Sequence, residues 1–138
     1  MKTPAVLEEV SVAVASDADI VSARMQGRAL ALRIGFRPTD ATLIATAISE
    51  LARNILLYAA SGEIAIRPIE RGERTGVAVV AQDRGPGIAD LPRAMEDGYS
   101  TSGRLGLGLP GVRRLMDEFE IRSGPGQGTT VKVKKWIA

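Results

Sequence analysis

Glu50 and Asn54 form the first pair of residues in this sequence whose types and spacing could do chemistry. Residues four apart on a helix project from the same side, one turn from each other. A carboxylate and an amide in that arrangement either share a cation or a water molecule, or are two solvated polar residues beside an apolar stripe. The spacing alone leaves both interpretations open.

A second candidate is Asp83, which follows the apolar run at residues 77–81 after one intervening residue and begins a segment containing Gly85, Gly87 and Ile88. Glycines allow a ligand to approach the backbone closely, and an isolated carboxylate can accept a hydrogen bond from an exocyclic amine. The alternative is a turn in which the Asp83 side chain bonds its own backbone two residues further on.

A third candidate is the glycine-rich segment 103–111, which contains Gly103, Gly106 and Gly108. Glycines before a helix leave N–H groups unpaired at its N-terminus, where the helix dipole favours an anion such as phosphate. The segment is not a Walker loop, because no Gly-Lys-Ser/Thr follows it. It is not a dinucleotide-binding fingerprint either, because the βαβ context is missing.

The composition excludes several kinds of site. The 138 residues include no cysteine and no histidine. Disulfides, thiolate nucleophiles, histidine bases and imidazole or thiolate metal sites are therefore excluded. A metal would need oxygen ligands, which favours magnesium or calcium.

Charge and hydropathy narrow the partners and the location. The net charge is +2 and aromatic residues make up only 4% of the chain, so binding of nucleic acid by base stacking is not supported. No apolar run approaches membrane-spanning length, and the N-terminus has no signal-peptide pattern. We expect a cytoplasmic protein that does not enter the membrane.

The elements that must position these residues follow from periodicity and turn residues. Pro68 restricts the second strand to a sheet edge or a bulge, and the face formed by Val112, Leu115, Met116 and Phe119 predicts the last helix. The segments, in order, are a strand at 10–14, helices at about 20–32 and 41–59, strands at 64–69 and 77–81, a loop from residue 83 with a short helical piece at about 91–96, a helix at about 110–119, and strands at 120–123 and 129–136.

This order predicts a single α/β domain over residues 1–138. The second and third strands, and the last two, are close enough in sequence to form hairpins. We therefore expect a two-layer α/β sandwich, with a mixed, mostly antiparallel sheet and helices on one face.

Together, the order and spacing of these motifs resemble the nucleotide-binding boxes of the GHKL ATPase superfamily, whose domain is called the Bergerat fold. At this size the chain is most similar to the stand-alone serine/threonine kinases of the RsbT type, the switch kinases of bacterial stressosomes. The stretches that carry the resemblance are residues 46–54, 83–88, 95–103 and 109–119, with a small third glycine element at 126–130.

The resemblance implies ATP and Mg²⁺ as cofactors and a role for each motif. Glu50 would accept the proton from the attacking hydroxyl, Asn54 would bind Mg²⁺, and Asp83 would receive the adenine amino group. Residues 91–103 would form a short lid over the nucleotide. The other residues implied in nucleotide binding are Gly85, Gly87, Ile88, Thr101, Ser102, Gly103, Arg104, Leu105, Gly106, Leu107, Gly108 and Thr130.

Arg104 departs from the family pattern, which often has glycine at this position. Either Gly103 supplies the conformational freedom that is needed, or Arg104 contacts the γ-phosphate or a partner. The sequence does not choose between these alternatives.

By resemblance, the expected function is an ATP- and magnesium-dependent serine/threonine protein kinase acting on STAS-domain proteins of a stressosome-like complex. The kinase would then bind and activate a downstream phosphatase or another regulator. The alternatives are an RsbW-type anti-sigma factor kinase and a non-catalytic, nucleotide-gated binding module. Retention of both Glu50 and Asn54 favours the enzyme.

Overall fold

The described helices and strands follow one another in the order that the sequence predicts, with small shifts at their ends. The structure is a computed structural model that describes residues 9–87 and 108–138. The strands are β1 (Val10–Val14), β2 (Gly62–Arg71), β3 (Arg74–Asp83), β4 (Glu118–Ser123) and β5 (Thr129–Trp136), and the helices are α1 (Asp17–Ile34), α2 (Pro38–Ala59) and α3 (Gly108–Leu115). The predicted helical piece at about 91–96 lies outside the described residues.

The five strands form one sheet in the order β1-β2-β3-β5-β4. The expected α/β sandwich and both expected hairpins are confirmed, but each pairing among the described strands is antiparallel, not mixed. The reason is the connections. Three connections, β1–α1, α1–α2 and α2–β2, separate the first two strands, and a reversal at each connection leaves β1 and β2 running in opposite directions.

The core lies between the sheet and the helices. Alternate residues of a strand face opposite sides of a sheet, and the helix-facing positions Val77, Val79 and Ala81 of β3 are buried. The apolar stripe of α2 covers them, and its buried side chains include Ile44, Ile48, Leu51 and Ile55. β3 is the central strand, as its unbroken apolar run predicts.

Gly27 lies where α1 packs against α2. A Cβ at this position would collide with Cδ1 of Ile48 and lie 3.2 Å from Cδ1 of Ile66, so a larger residue requires these side chains to shift. α1 runs from Asp17 to Ile34, longer than predicted. Among the helices that the structure describes, none is long and apolar enough to span a membrane.

Pro68 lies in an interior strand without disturbing it. β2 pairs with β3 along its full length, from Gly62 to Arg71, but its pairing with β1 reaches only Ile66. At Pro68 the strand therefore has one neighbour, β3, and the missing N–H does not interrupt a ladder on the other side. The predicted edge position is correct for this half of β2 only.

The last helix ends earlier than predicted, at Leu115, and Phe119 belongs to β4. The prediction that Phe119 continues the helical face is wrong. Lys135 Nζ donates a hydrogen bond to the carbonyl of Leu115 at 2.9 Å, and the Trp136 N–H donates to Asp117 Oδ2 at 2.8 Å. These contacts with β5 stop the helix, since a basic group satisfies its last carbonyls.

Candidate active site

Asp83 ends the central strand, and its side chain closes a turn. Its Oδ1 accepts a hydrogen bond from the Gly85 N–H at 2.8 Å, so the turn interpretation is correct. The second oxygen, Oδ2, has no partner among the described residues. Strand alternation puts the half-buried carboxylate on the helix side of the sheet, in line with Val79 and Ala81. The turn and a ligand can therefore use different oxygens of the same group.

Two backbone segments meet beside Asp83. Gly87 has φ +81°, and a Cβ there would collide with the Gly124 carbonyl oxygen. Gly128 has φ +73°, and a Cβ there would collide with the carbonyl oxygen of Asp83. The Gly126 N–H donates to the carbonyl of Pro86 at 2.7 Å and fastens the two segments together. Glycine is required here by close approach and by positive φ.

Thr130, implied in adenine binding, lies on the other face of the sheet from Asp83. It pairs with Gln82, whereas Thr129 pairs with Asp83. Alternation along β5 puts Thr129 on the helix side, with the buried Val131 and Val133. Thr129, which the sequence analysis did not single out, therefore shares a face with Asp83, and the role expected of Thr130 stays a prediction.

The last turns of α2 lie against the end of β3. A Cβ on Gly62 would be 2.9 Å from Cγ2 of Ile55 and 3.1 Å from Cβ of Asp83. A Cβ on Gly85 would be 2.6 Å from Cβ of Ala59. Since Ile55 follows Asn54 directly, the segment of α2 that carries Asn54 is adjacent to Asp83.

Glu50 and Arg53 form an ion pair on α2. The distance from Arg53 Nη1 to Glu50 Oε2 is 3.0 Å, and the Glu50 side chain is 16% exposed. Asn54 is half-buried one turn further on, about 6 Å along the helix axis at 1.5 Å per residue. The sequence analysis did not single out Arg53, which fixes the direction of the Glu50 carboxylate.

The donor set fits a magnesium ion that binds together with a phosphate ligand. The described residues contain no cluster of three acidic side chains that could hold a metal, so the chain offers no closed cage. Mg²⁺ is usually held by one or two protein groups, several waters and the phosphates of a substrate. The half-buried amide of Asn54, a turn from Glu50, is such a protein group.

The third motif ends on α3. Gly108 begins this helix with φ +62°, and α3 packs against α2. Its N-terminal N–H groups are suited to an anion. The lid at 91–103 lies outside the described residues, as do the candidates Ile88, Thr101, Ser102, Gly103, Arg104, Leu105, Gly106 and Leu107.

Comparison with known proteins matches this chain to one protein family. Residues 39–137 match the model for histidine kinase-, DNA gyrase B-, and HSP90-like ATPases. The matched region contains α2, the Asp83 turn and all strands after β1.

Individual relatives are regulatory proteins. The chain is 49% identical to the serine/threonine-protein kinase RsbT of Bacillus subtilis (strain 168) over 130 residues, which is 94% of this chain and 98% of the relative. It is 34% identical to an anti-sigma F factor of Thermoanaerobacter sp. (strain X514) over 100 residues, 68% of each chain.

A solved structure shares the fold. The crystal structure of the RsbU and RsbW domains of Rv1364c from Mycobacterium tuberculosis aligns with a TM-score of 0.60 at 23% identity. The alignment covers 92% of this chain and 32% of that longer chain. At this identity the likeness concerns the fold alone.

Proposed function

This chain belongs to the histidine kinase-, DNA gyrase B- and HSP90-like ATPase family, and we propose that it is an ATP- and magnesium-dependent serine/threonine protein kinase that acts as a partner-switching regulator. Its substrates are STAS-domain proteins of a stressosome-like complex in the cytoplasm. The observation that carries the proposal is the alignment of Glu50 and Asn54 along α2, leading toward Asp83 at the end of β3.

The order of these groups matches the order of the parts of ATP. Asp83, at the end of β3, lies beside the C-terminal end of α2. Along α2, Asn54 is nearer to this end and Glu50 is one turn further away. Adenine beside Asp83 therefore directs the phosphates along α2 past Asn54 and brings the γ-phosphate toward Glu50.

Each residue of this chain has a defined task in the transfer. The Asp83 oxygen that is not used by the Gly85 N–H accepts a hydrogen bond from the adenine amine. Asn54 would hold a magnesium ion, which neutralises phosphate charge when it is bound. The Arg53 guanidinium holds the Glu50 carboxylate in place through the 3.0 Å contact.

The reaction itself needs one proton acceptor. The substrate hydroxyl oxygen forms a bond to the γ-phosphorus, the bond from that phosphorus to the β,γ-bridging oxygen breaks, and ADP leaves with the electron pair. Glu50 accepts the hydroxyl proton. Phosphoryl transfer asks the protein mainly for positioning and charge stabilisation, so a site without histidine or cysteine is sufficient.

Partner exchange follows from the phosphorylation. The added phosphate brings nearly two negative charges to the contact between the kinase and its substrate. The kinase then leaves the phosphorylated STAS protein and binds a downstream phosphatase or another regulator, which it activates.

Phosphotransfer tests this proposal. The purified chain is mixed with Mg-ATP and the STAS-domain proteins of the same cell, and intact masses are measured. We expect one added phosphate on a serine or threonine of a STAS protein, lost in Glu50→Ala and Asp83→Asn and retained in the control Glu63→Gln, an exposed carboxyl on β2. Tight binding of Mg-ATP without transfer to any candidate would contradict the kinase function.

A second candidate is the anti-sigma function, which is favoured by the 34% identity to an anti-sigma F factor over 68% of the chain. In that case the chain holds a sigma factor in a nucleotide-dependent complex. A sigma factor that co-elutes with the chain in Mg-ATP or Mg-ADP would support this candidate, and transfer to a STAS protein without sigma-factor binding would exclude it.

A further inference from the structure

Helix α1 has two apolar faces, and only one of them is used by the fold. Ile20, Ala23, Leu30 and Ala31 are buried against the rest of the domain. A second stripe faces solvent, and its members are Ala18, Val21, Met25, Ala29 and Leu32. We refer to these five residues as the α1 stripe.

The exposure of the α1 stripe is unusual for its side chains. Met25 is 63% exposed, Val21 42% and Leu32 38%, and these are three of the five large exposed hydrophobic residues in the part of the chain that the structure describes. Steps of four and seven residues keep them on one side of the helix. From Ala18 to Leu32 the stripe is about 21 Å long at 1.5 Å per residue. A straight, narrow ridge of this length has the shape of one side of a helix pair.

Arginines line both edges of the α1 stripe. At 100° per residue, Arg24 and Arg28 lie along one edge and Arg33 along the other. Arg28 Nε donates to Thr42 Oγ1 at 3.2 Å, and neither Arg24 nor Arg33 has an ion-pair partner among residues 9–87 and 108–138. Asp17 is the acidic residue on this side, at the start of the helix. The face therefore combines an apolar ridge with a positive border.

We propose that the α1 stripe docks an amphipathic helix of a partner protein, whose apolar ridge is flanked by carboxylates. The ridge fits packing against the apolar side of a second helix, whose anchors lie three and four residues apart. The arginines select an acidic border by charge complementarity. None of the nucleotide-site candidates lies on α1, so this docking surface is independent of the phosphotransfer chemistry, and its failure would leave the proposed kinase function untouched.

A second copy of this chain is a poorer occupant. A two-fold dimer brings the same patch of both subunits together. The three arginines of one copy would then face the three arginines of the other, with only Asp17 to offset them. Like charges at an interface suppress the pairing.

The first experiment maps binding on the isotope-labelled full chain by NMR. The probe is a synthetic peptide of about 20 residues, long enough to form a helix, with leucine and alanine on one face and glutamate on both borders. A second peptide has lysine in place of each glutamate, and a third has the acidic sequence scrambled. We expect amide shifts concentrated in Asp17–Ile34 with the acidic amphipathic peptide, and binding at least about tenfold weaker for the other two, a difference within the range of interface charge pairs.

The matched variants are Met25→Glu and Gln26→Glu. Both add one negative charge to the middle of α1 at exposed positions of similar helix propensity, but Gln26 lies off the α1 stripe. We expect Met25→Glu to lose peptide binding and Gln26→Glu to keep it, while both retain the wild-type melting temperature and ATP affinity.

Four results would overturn the proposal. The first is the absence of shifts in α1 up to about 1 mM peptide, which is the limit of weak binding. The second is equal binding of the lysine or scrambled peptide, and the third is unchanged binding in Met25→Glu. The fourth is a concentration-dependent dimer that Met25→Glu abolishes. The last result would assign the face to a second copy of the chain.

Discussion

Asp83 has two carboxylate oxygens with different tasks. Oδ1 closes the turn with the Gly85 N–H at 2.8 Å, and the other oxygen is the one we assign to the adenine amine. Asparagine at this position keeps one oxygen for the turn, but its NH₂ group then meets the amine, so that two donors face each other.

We therefore expect Asp83→Asn to fold normally and to bind ATP about 10- to 100-fold more weakly, because an unsatisfied polar pair costs about 1–3 kcal/mol. Isothermal titration with Mg-ATP measures this change. Asp40→Asn, in the first turn of α2, is the control. Unchanged ATP affinity in Asp83→Asn would remove Asp83 from the adenine site.

Arg53 contacts Glu50, and we expect it to affect the proposed reaction only through that carboxylate. We predict that Arg53→Met slows phosphotransfer about tenfold with little change in ATP affinity, because a misdirected base loses part of its about 10²–10⁴-fold contribution. Arg53→Lys keeps the charge without the planar fork and is expected to retain an intermediate rate. Single-turnover transfer rates give the comparison, and equal rates in wild type and Arg53→Met would show that the ion pair has no positioning role.

At the residue scale, the sequence predicts which residues could take part in the chemistry better than it predicts which residues lie next to one another in space. Glu50, Asn54 and Asp83 are predicted from type and spacing alone, because their motifs are local in the chain. The motif does not decide whether Thr129 or Thr130 shares a sheet face with Asp83, since the register between β3 and β5 determines which face each residue takes. The register between two strands that are distant in sequence cannot be predicted from a local motif.

At the scale of elements, two turns meet beside Asp83, one containing Gly87 and one containing Gly128. They can approach this closely because glycines lie at their contacts. Gly126 and Gly128 belong to the same turn and both have positive φ, at +75° and +73°. A Cβ on Gly126 meets nothing within 4 Å, whereas a Cβ on Gly128 would collide with the Asp83 carbonyl. Comparing substitutions at these two glycines therefore separates the free-energy cost of a side chain at positive φ from the free-energy cost of a steric collision.

We predict that Gly126→Ala and Gly128→Ala both lose about 1–2 kcal/mol of stability from the left-handed backbone. Gly128→Ala is expected to lose about 1–3 kcal/mol more from the collision and to weaken ATP binding, since Asp83 must move. Urea unfolding and ATP titration measure both effects. Equal losses of stability and affinity in the two variants would contradict the close approach.

Element boundaries show where local sequence stops being informative. The apolar stripe of α2 predicts that helix well because its apolar residues fall on one face, the face that is buried. α3 ends at Leu115, since Lys135 of the distant strand β5 satisfies the Leu115 carbonyl. No local signal at Met116 predicts this end. α1 is harder to delimit because its second apolar face, the α1 stripe, obscures the helical period.

At the scale of the whole molecule, the sheet end far from Asp83 is closed by a polar and aromatic cluster. The guanidinium carbons of Arg71 and Arg74 lie over the ring of Trp136, at 4.7 and 4.8 Å from its centroid. Glu118 accepts hydrogen bonds from Arg71 at 2.9 Å and from the Trp136 indole at 2.8 Å. These contacts join the β2–β3 hairpin to the β4–β5 hairpin on the face without helices.

We expect this cluster to make the stability of the fold depend on pH. Two hydrogen bonds hold the pKa of Glu118 below its ordinary value of 4.5. The bond from Arg71 has the larger effect and the bond from Trp136 the smaller. A carboxyl whose pKa is lower in the folded chain stabilises the fold above its unfolded pKa and loses this contribution as the pH falls through its folded pKa.

We therefore predict that Glu118→Gln lowers the melting temperature at neutral pH, and that its difference from wild type shrinks below pH 4.5. Thermal unfolding across this range measures the difference. The control is Glu120→Gln on the same strand and face, whose contact with Arg122 is 3.8 Å and exposed. A difference for Glu118→Gln that stays constant with pH would contradict the role of its charge.

The sheet order is the part of the fold that the sequence could not supply. Both hairpins follow from short turns, but the insertion of β5 between β3 and β4 depends on pairing across more than forty residues, from Gly76↔Trp136 to Asp83↔Thr129. This insertion brings Thr129 and the Gly128 turn to Asp83. The candidate site is therefore assembled by the longest-range pairing of the described sheet.

The most direct test of the central claim is a single-turnover reaction of the chain with Mg-ATP and its STAS-domain acceptor, followed by the mass of the acceptor, for wild type and Glu50→Gln. We predict stoichiometric phosphorylation by wild type, and a rate about 10²–10⁴-fold lower for Glu50→Gln at unchanged ATP affinity. Transfer by Glu50→Gln at the wild-type rate, or conversion of ATP to ADP by wild type without phosphate on the acceptor, would contradict the claim.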